Sequence, residues 1–260
     1  MDEHDRIDAS VPLAEITGLG VTFGDRVALD DVDLVVPAGT TTAVIGPNGS
    51  GKSTLLGVIA GLVHPTTGTV RVDRTRIAIV LQTTALDPTL PITVTETVRM
   101  ARYRERGLFG RMRADDREAV AIALERMRVT DLARRRLHDL SGGQRQRVLV
   151  AQGLAQGADL LLLDEPVTGL DVVSRDVILE VIDEERDAGR SVVMTTHSLD
   201  EAARCDRVLL LAGRVIASGP PSEAIAPEHL DRAFRSDVTR LPTGQLFLDQ
   251  AHHHGPHPGH

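Results

Sequence analysis

Short apolar runs of strand length recur along the chain, at Val32 to Val36, Thr41 to Ile45, Ile77 to Leu81, Leu160 to Leu163, Ser191 to Thr195 and Arg207 to Leu211. Longer segments with helical spacing separate them. Strands that alternate with helices predict βαβ units and a mainly parallel sheet. Leu160 to Leu163 is apolar at every position, so both its faces must be covered, and a doubly wound α/β core follows. Between residues 83 and 157 the pattern turns mostly helical, with helices predicted at Thr93 to Tyr103, Asp115 to Met127 and Gly142 to Ala155. That stretch reads as a helical insert in the α/β core. The clearly apolar runs are about five residues long, far below the ~18 to 20 that a membrane helix needs, so no membrane span is expected. Residues 1 to 11 are acidic and carry no apolar stretch, which argues against a signal peptide and for a cytosolic N-terminus.

Composition adds bounds rather than an answer. With 260 residues, 42% hydrophobic and 25% charged, the chain suits one large α/β domain or two small ones, and disordered or fibrous classes are excluded. Its formal charge is -8, so no overall field favours nucleic acid. The stretch from Arg99 to Arg136 runs the other way, with 12 arginines against six acids. It reads either as a solvated basic helix face or as a docking face for an acidic partner or lipid headgroups. Cys205 is the sole cysteine, which excludes an internal disulfide and fits a reducing compartment. From Ala251 to His260 one residue in two is histidine, set among glycines and prolines, a composition that buries no core and predicts a disordered tail.

Of the 29 basic residues 28 are arginine, and the single lysine, Lys52, lies in the one segment with clear chemistry. Gly46, Pro47, Asn48, Gly49, Ser50, Gly51, Lys52, Ser53 and Thr54 follow the strand ending at Ile45 and precede the apolar helix Leu55 to Ala60. This is the G-x-x-x-x-G-K-[ST] pattern in the strand–loop–helix context it requires. Glycines let the backbone curl until its N–H groups face phosphate oxygens at a helix N-terminus. Lys52 would reach the β and γ phosphates of ATP, and the Ser53 hydroxyl would bind Mg²⁺. About 110 residues further on, Asp164 and Glu165 close the strand Leu160 to Leu163. With that strand placed beside the phosphate-loop strand, Asp164 would bind Mg²⁺ directly or through water, and Glu165 would activate the attacking water.

Between these two elements stand Leu140, Ser141, Gly142, Gly143 and Gln144, opening a helix. In that order the three motifs resemble the ATP-binding cassette (ABC) family over roughly residues 11 to 220. The resemblance implies a P-loop NTPase core with a mainly parallel sheet, an antiparallel β subdomain and a helical subdomain at about 83 to 157. Residues 1 to 10 would be an extension, and 221 to 260 a C-terminal segment ending in the histidine-rich tail. It further implies that Ser141 to Gln144 of one subunit complete the ATP site of another, in a head-to-tail homodimer that closes on ATP. Ser141, Gly142 and Gly143 at a helix start form a second anion cradle in their own right. Gln82 resembles the glutamine that contacts Mg²⁺ and the attacking water, and Asp171, after Gly169 and Leu170, resembles the D-loop aspartate. His197 resembles the switch histidine at the γ-phosphate; Ser198 follows it where the family usually has aspartate. Phe23 stands where the family stacks an aromatic ring on adenine, usually tyrosine.

Within the family, Tyr103 to Gly110, Ala114 to Ala119 and Asp206 to Pro220 look most like ATPases of zinc and manganese importers. The expected partners are membrane permease subunits and, through them, an extracytoplasmic metal-binding protein; the expected location is the cytoplasmic face of the membrane. His252, His253, His254, His257 and His260 could bind Zn²⁺ as neutral imidazoles, or could simply be solvated. ABC ATPases of DNA repair, chromosome organisation and translation carry coiled-coil insertions, zinc modules or a second cassette, which 260 residues with one phosphate loop do not accommodate. A kinase or other P-loop enzyme on a small molecule would leave Leu140 to Gln144 unexplained.

Overall fold

The computed structural model describes residues 11–73, 76–81, 92–106, 112–234, 238–240 and 246–248. Strand β1 (Ala14–Phe23) and strand β2 (Arg26–Val36) pair antiparallel through a tight turn. The chain then enters β3 (Thr41–Ile45) and helix α1 (Lys52–Ile59) and returns as β4 (Thr67–Val72), which pairs antiparallel with the other edge of β1. The resulting three-stranded sheet has the order β2-β1-β4.

The main sheet, which also holds β3, has β5 (Ile77–Val80) at one edge. Helices α2 (Val94–Arg106), α3 (Ala114–Arg126) and α4 (Gly142–Leu154) follow before the chain re-enters the sheet as β6 (Leu160–Leu163). After β6 come α5 (Val172–Asp187), β7 (Ser191–Thr195), α6 (Leu199–Ala203), β8 (Arg207–Leu211) and β9 (Val215–Gly219). The sheet order is β5-β6-β7-β3-β8-β9, with only β9 antiparallel. β6 therefore does not lie beside β3, as the sequence reading placed it; β7 runs between them. All four residues of β6 are buried, because apolar layers cover both of its faces.

Strand alternation sorts those layers. Val44, Leu160, Leu162 and Val193 point toward α1 and the antiparallel sheet, forming one cluster with Leu55, Leu56 and Ile59. Ala43, Leu161, Leu163 and Met194 point the other way, toward α4, α5 and the helical stretch, with Val148, Ala151 and Ile178. Helices α7 (Pro221–Ala224) and α8 (Pro227–Phe234) add Ala224, Leu230 and Phe234 to this second cluster. A short hairpin of β10 (Val238–Arg240) and β11 (Leu246–Leu248) follows. Among the described residues no helix is long and apolar enough to cross a membrane. The parallel strands all end on one side, and the loops after β3, β6 and β7 meet there.

Candidate nucleotide site

The loop after β3 is shaped by positions where only glycine fits. Gly46 has φ +154°, and a Cβ there would lie 1.9 Å from the Leu211 carbonyl oxygen at the end of β8. Gly51 has φ +96°, and its Cβ would meet the Ala28 carbonyl at 2.7 Å. The loop thus passes between β8 and β2 with no room for a side chain. Ser50 N–H donates to the Pro47 carbonyl at 3.2 Å, and Gly213 N–H donates to the Ser50 carbonyl at 2.9 Å, bracing the loop on the β8–β9 turn. α1 starts with no side chain capping its first turn, so its N-terminal N–H groups are left for an anion.

Lys52, only 6% exposed, donates from Nζ to the Gly46 carbonyl at 2.9 Å and the Pro47 carbonyl at 3.1 Å. Burial pushes its ammonium pKa down; the Glu165 and Asp164 carboxylates oppose that shift and favour the charged form. A cation held by two carbonyls of a loop that runs into an uncapped helix N-terminus suits a phosphate chain.

β6 ends in the acid pair. The Asp164 N–H donates to the Val80 carbonyl at 2.9 Å, and its side chain is 5% exposed. Glu165 turns into the left-handed region at φ +49°. His197, just beyond β7, brings Nε2 into contact with Glu165 Oε1. The loop carrying His197 is fixed from below: Thr196 Oγ1 donates to Glu201 Oε2, and Ser198 Oγ caps α6 by accepting the Glu201 N–H at 3.3 Å. Serine at 198 thus does the capping work that aspartate can do, since both are good N-caps.

A cavity of about 430 Å³ opens over the loop, lined by Phe23, Arg26, Ala28, residues 48–54 and Glu165. Phe23 closes β1 and is 53% exposed, a position available to a flat ring. Arg26 and Ala28, just across the hairpin turn from Phe23, were not singled out from sequence. The signal was present, because two residues flanking a tight turn share an edge with the aromatic that precedes it.

The second cradle stands apart. Ser141 caps α4, accepting the Gln144 N–H at 3.2 Å while Gln144 Oε1 accepts the Ser141 N–H at 3.1 Å. A Cβ on Gly143 would collide with Asp171 Oδ2 at 2.4 Å and Ser174 Oγ at 2.5 Å, so α4 rests directly on the start of α5. Asp171 caps α5 through the Ser174 N–H at 2.9 Å, and hydrogen bonds from Ser174 hold its carboxyl below the usual aspartate range. Neither Ser141 to Gln144 nor Asp171 lines the cavity. Gln82 and His252, His253, His254, His257 and His260 lie outside the described residues.

Among the described residues no cluster of three or more His, Cys, Asp or Glu forms a complete metal cage. The donors near the phosphate loop, the Ser53 hydroxyl and the Asp164 and Glu165 carboxylates, are hard oxygens. They fit Mg²⁺, which takes one or two protein ligands and completes its shell with phosphates and water.

A strand-to-helix phosphate cradle with its lysine, an acid pair on a strand end of the same sheet and a histidine against the acid define a P-loop nucleotide hydrolase. The family of proteins described as ABC transporter matches residues 29–168. The chain is 37% identical over 227 residues to the manganese transport system ATP-binding protein MntB of Listeria innocua, covering 84% of this chain and 95% of that one. It is 42% identical to the hemin import ATP-binding protein HmuV of Streptomyces coelicolor over 91% of this chain and 89% of that one. To the zinc transport system ATP-binding protein TroB of Treponema pallidum it is 36% identical, over 92% and 93%. Among solved structures, a putative metal-chelate type ABC transporter in an inward-facing conformation superposes with a TM-score of 0.79 at 27% identity, over 91% of this chain and 96% of that one. The dimeric bacterial ABC transporter cassette MJ0796 superposes with a TM-score of 0.71 at 27% identity, over 80% and 98%. This chain belongs to the ABC transporter family, and it is an ATPase.

Proposed function

We propose that this chain is the ATP-hydrolysing subunit of a transporter that imports a transition metal, zinc first. The observation that carries the metal reading is the agreement of relatives whose names include manganese, zinc and hemin transport at 36 to 42% identity over most of the chain. Zinc rests on the five tail histidines. Manganese is the second reading, favoured by the manganese transport relative at 37% identity.

In this reading ATP lies across the cavity with adenine against Phe23 and its phosphates on the loop from Gly46 to Thr54. Lys52 holds the β and γ phosphates. Ser53 and Asp164, with Gln82, would hold Mg²⁺, which when bound neutralises charge developing on the phosphates. Glu165 orients and accepts a proton from the attacking water, and His197 supports the carboxylate and the γ-phosphate. That Ser141 to Gln144 do not line the cavity of their own chain supports a head-to-tail homodimer in which those residues of one copy close the site of the other, with Asp171 at the seam. The helical subdomain, about 83–157, would meet membrane permease subunits on the cytoplasmic face, and the permease an extracytoplasmic metal-binding protein.

The test is transport by the chain reconstituted with its permease in vesicles. Zinc uptake should depend on ATP and stop with Glu165→Gln, with manganese a poor competitor. Manganese uptake that excess zinc does not inhibit would overturn the zinc assignment, and ATP-driven movement of neither metal would overturn the metal reading.

A further inference from the structure

We propose that Thr195 is a positioning residue for hydrolysis: its hydroxyl, held between the Glu165 main-chain N–H and the Asp164 carboxylate, sets the turn that directs Glu165 into the cavity. The proposal rests on the reading of Asp164 and Glu165 as the hydrolytic pair.

Thr195 is the last residue of β7 and is fully buried. Leu163 of β6 pairs with Met194 of β7, so the next residue on each strand, Asp164 and Thr195, come side by side as the ladder ends. Alternation puts the Thr195 side chain on the same sheet face as Val193, whose neighbours Val44 and Leu162 are apolar. A valine of the same shape would serve that layer, and a hydroxyl there is unfavourable unless it is paired. Both of its capacities are used, and both by the acid pair. Thr195 Oγ1 accepts the Glu165 N–H at 2.8 Å and donates to Asp164 Oδ1 at 2.7 Å.

The two bonds fix different things. The first holds the main chain of Glu165 at φ +49°, a region that glycine, asparagine and aspartate visit readily but glutamate does not. Glu165 leaves the strand in that turn, reaches the cavity lining and touches His197. The second bond commits one oxygen of Asp164 and so fixes the plane of its carboxylate. One buried hydroxyl on β7 therefore couples the aim of the two consecutive acids on β6.

The experiment compares Thr195→Val and Thr195→Ser in the full chain, reading ATPase kcat and, separately, equilibrium affinity for a fluorescent ATP analogue. Thr195→Val should lower kcat about tenfold to a hundredfold, as expected for a misaimed base, with affinity within about twofold of the parent. Thr195→Ser, which restores the hydroxyl, should recover most of the rate. Added to Glu165→Gln, Thr195→Val should cost little more, because it acts through that carboxylate. Where valine prevents folding, Thr195→Ala takes its place with the same expected loss. Unchanged kcat in Thr195→Val alongside a dead Glu165→Gln overturns the proposal, as does an equal loss in valine and serine variants. Normal turnover by Glu165→Gln instead removes the reading of the acid pair on which the proposal stands.

Discussion

The phosphate cradle at the end of β3 and the helical stretch from Val94 to Leu154 are held in place by different means. The cradle is main chain: glycines with no room for a Cβ, carbonyls on Lys52, and a hydroxyl under the acid pair. The helical stretch packs through its apolar faces and is tied across its seams by arginine. Arg102 binds Asp116 Oδ1 at 3.0 Å and also donates to the Ala155 and Gln156 carbonyls at 3.2 Å each, joining α2, α3 and the end of α4. Arg126 reaches Glu184 at 2.9 Å and also Glu185, and Arg128 reaches Glu180 at 2.6 Å, carrying the end of α3 across to α5. Three of the twelve arginines between Arg99 and Arg136, namely Arg102, Arg126 and Arg128, thus meet acids inside the same chain. The contrast teaches that the cradle is shaped by close main-chain packing, whereas the seam between α3 and α5 is tied by ion pairs whose strength should follow pH.

Removing the one cationic side chain from the main-chain cradle should have the largest effect. Lys52→Ala takes away the only charge that offsets the phosphates from within the loop, and kcat/KM for ATP should fall by about a hundredfold or more. Lys52→Arg should not rescue it, because a planar guanidinium cannot occupy the space between the Gly46 and Pro47 carbonyls as a compact ammonium does. Steady-state phosphate release decides; turnover near the parent rate would break the assignment of the cradle.

The junction between the regions comes next. Gly143→Ala drives a methyl into Asp171 and Ser174, so α4 must shift on α5. ATPase should drop about tenfold while nucleotide affinity of the isolated chain holds, since the cavity does not include Gly143. Gly142→Ala meets nothing within 4 Å in this chain, so it should melt like the parent. Any fall in its ATPase then reports a second copy packed on α4, and equal melting temperatures for both variants would show that the close approach at Gly143 does not matter to folding.

The same contrast explains what could be read in advance. The cradle, the acid pair and His197 are short contiguous motifs, because a main-chain site writes its demands into consecutive residues. Five of the six strand segments taken from apolar runs fall within one residue of the observed strands. β1 was missed because Gly18 and Gly20 interrupt its alternation where the register shifts, and β4 because it is largely exposed. Strand order was misread at one place, since no feature of β6 or β3 announces that β7 will pass between them. Arg26 and Thr195 were passed over for a related reason: their roles come from neighbours brought by folding, Glu165 being 139 residues from Arg26 and the acid pair lying on a strand adjacent to Thr195.

The smallest change in activity and the clearest pH signature belong to the arginine-held seam. Glu185 is 4% exposed and takes hydrogen bonds from Arg190 at 2.6 Å to each carboxylate oxygen, and another from Arg126. Burial alone would raise its carboxyl pKa; the hydrogen bonds and charges of Arg190 and Arg126 outweigh burial and hold it below the ordinary 4.5. A carboxyl whose folded pKa is depressed stabilises the fold at pH above its unfolded value, and that contribution is lost as pH falls through the folded value. Glu185→Gln should therefore cost about 2 kcal/mol at pH 7, less than a fully buried pair would, because the Arg126 and Arg190 side chains are 22% and 33% exposed and water takes up part of their charge. ATPase at pH 7 should change less than about twofold, the acid lying outside the cavity. Urea unfolding of both proteins across a pH series makes the test: the gap should be full at neutral pH and narrow below pH 4.5. A gap that stays constant with pH would mean that the seam is held by packing and that its charges are incidental.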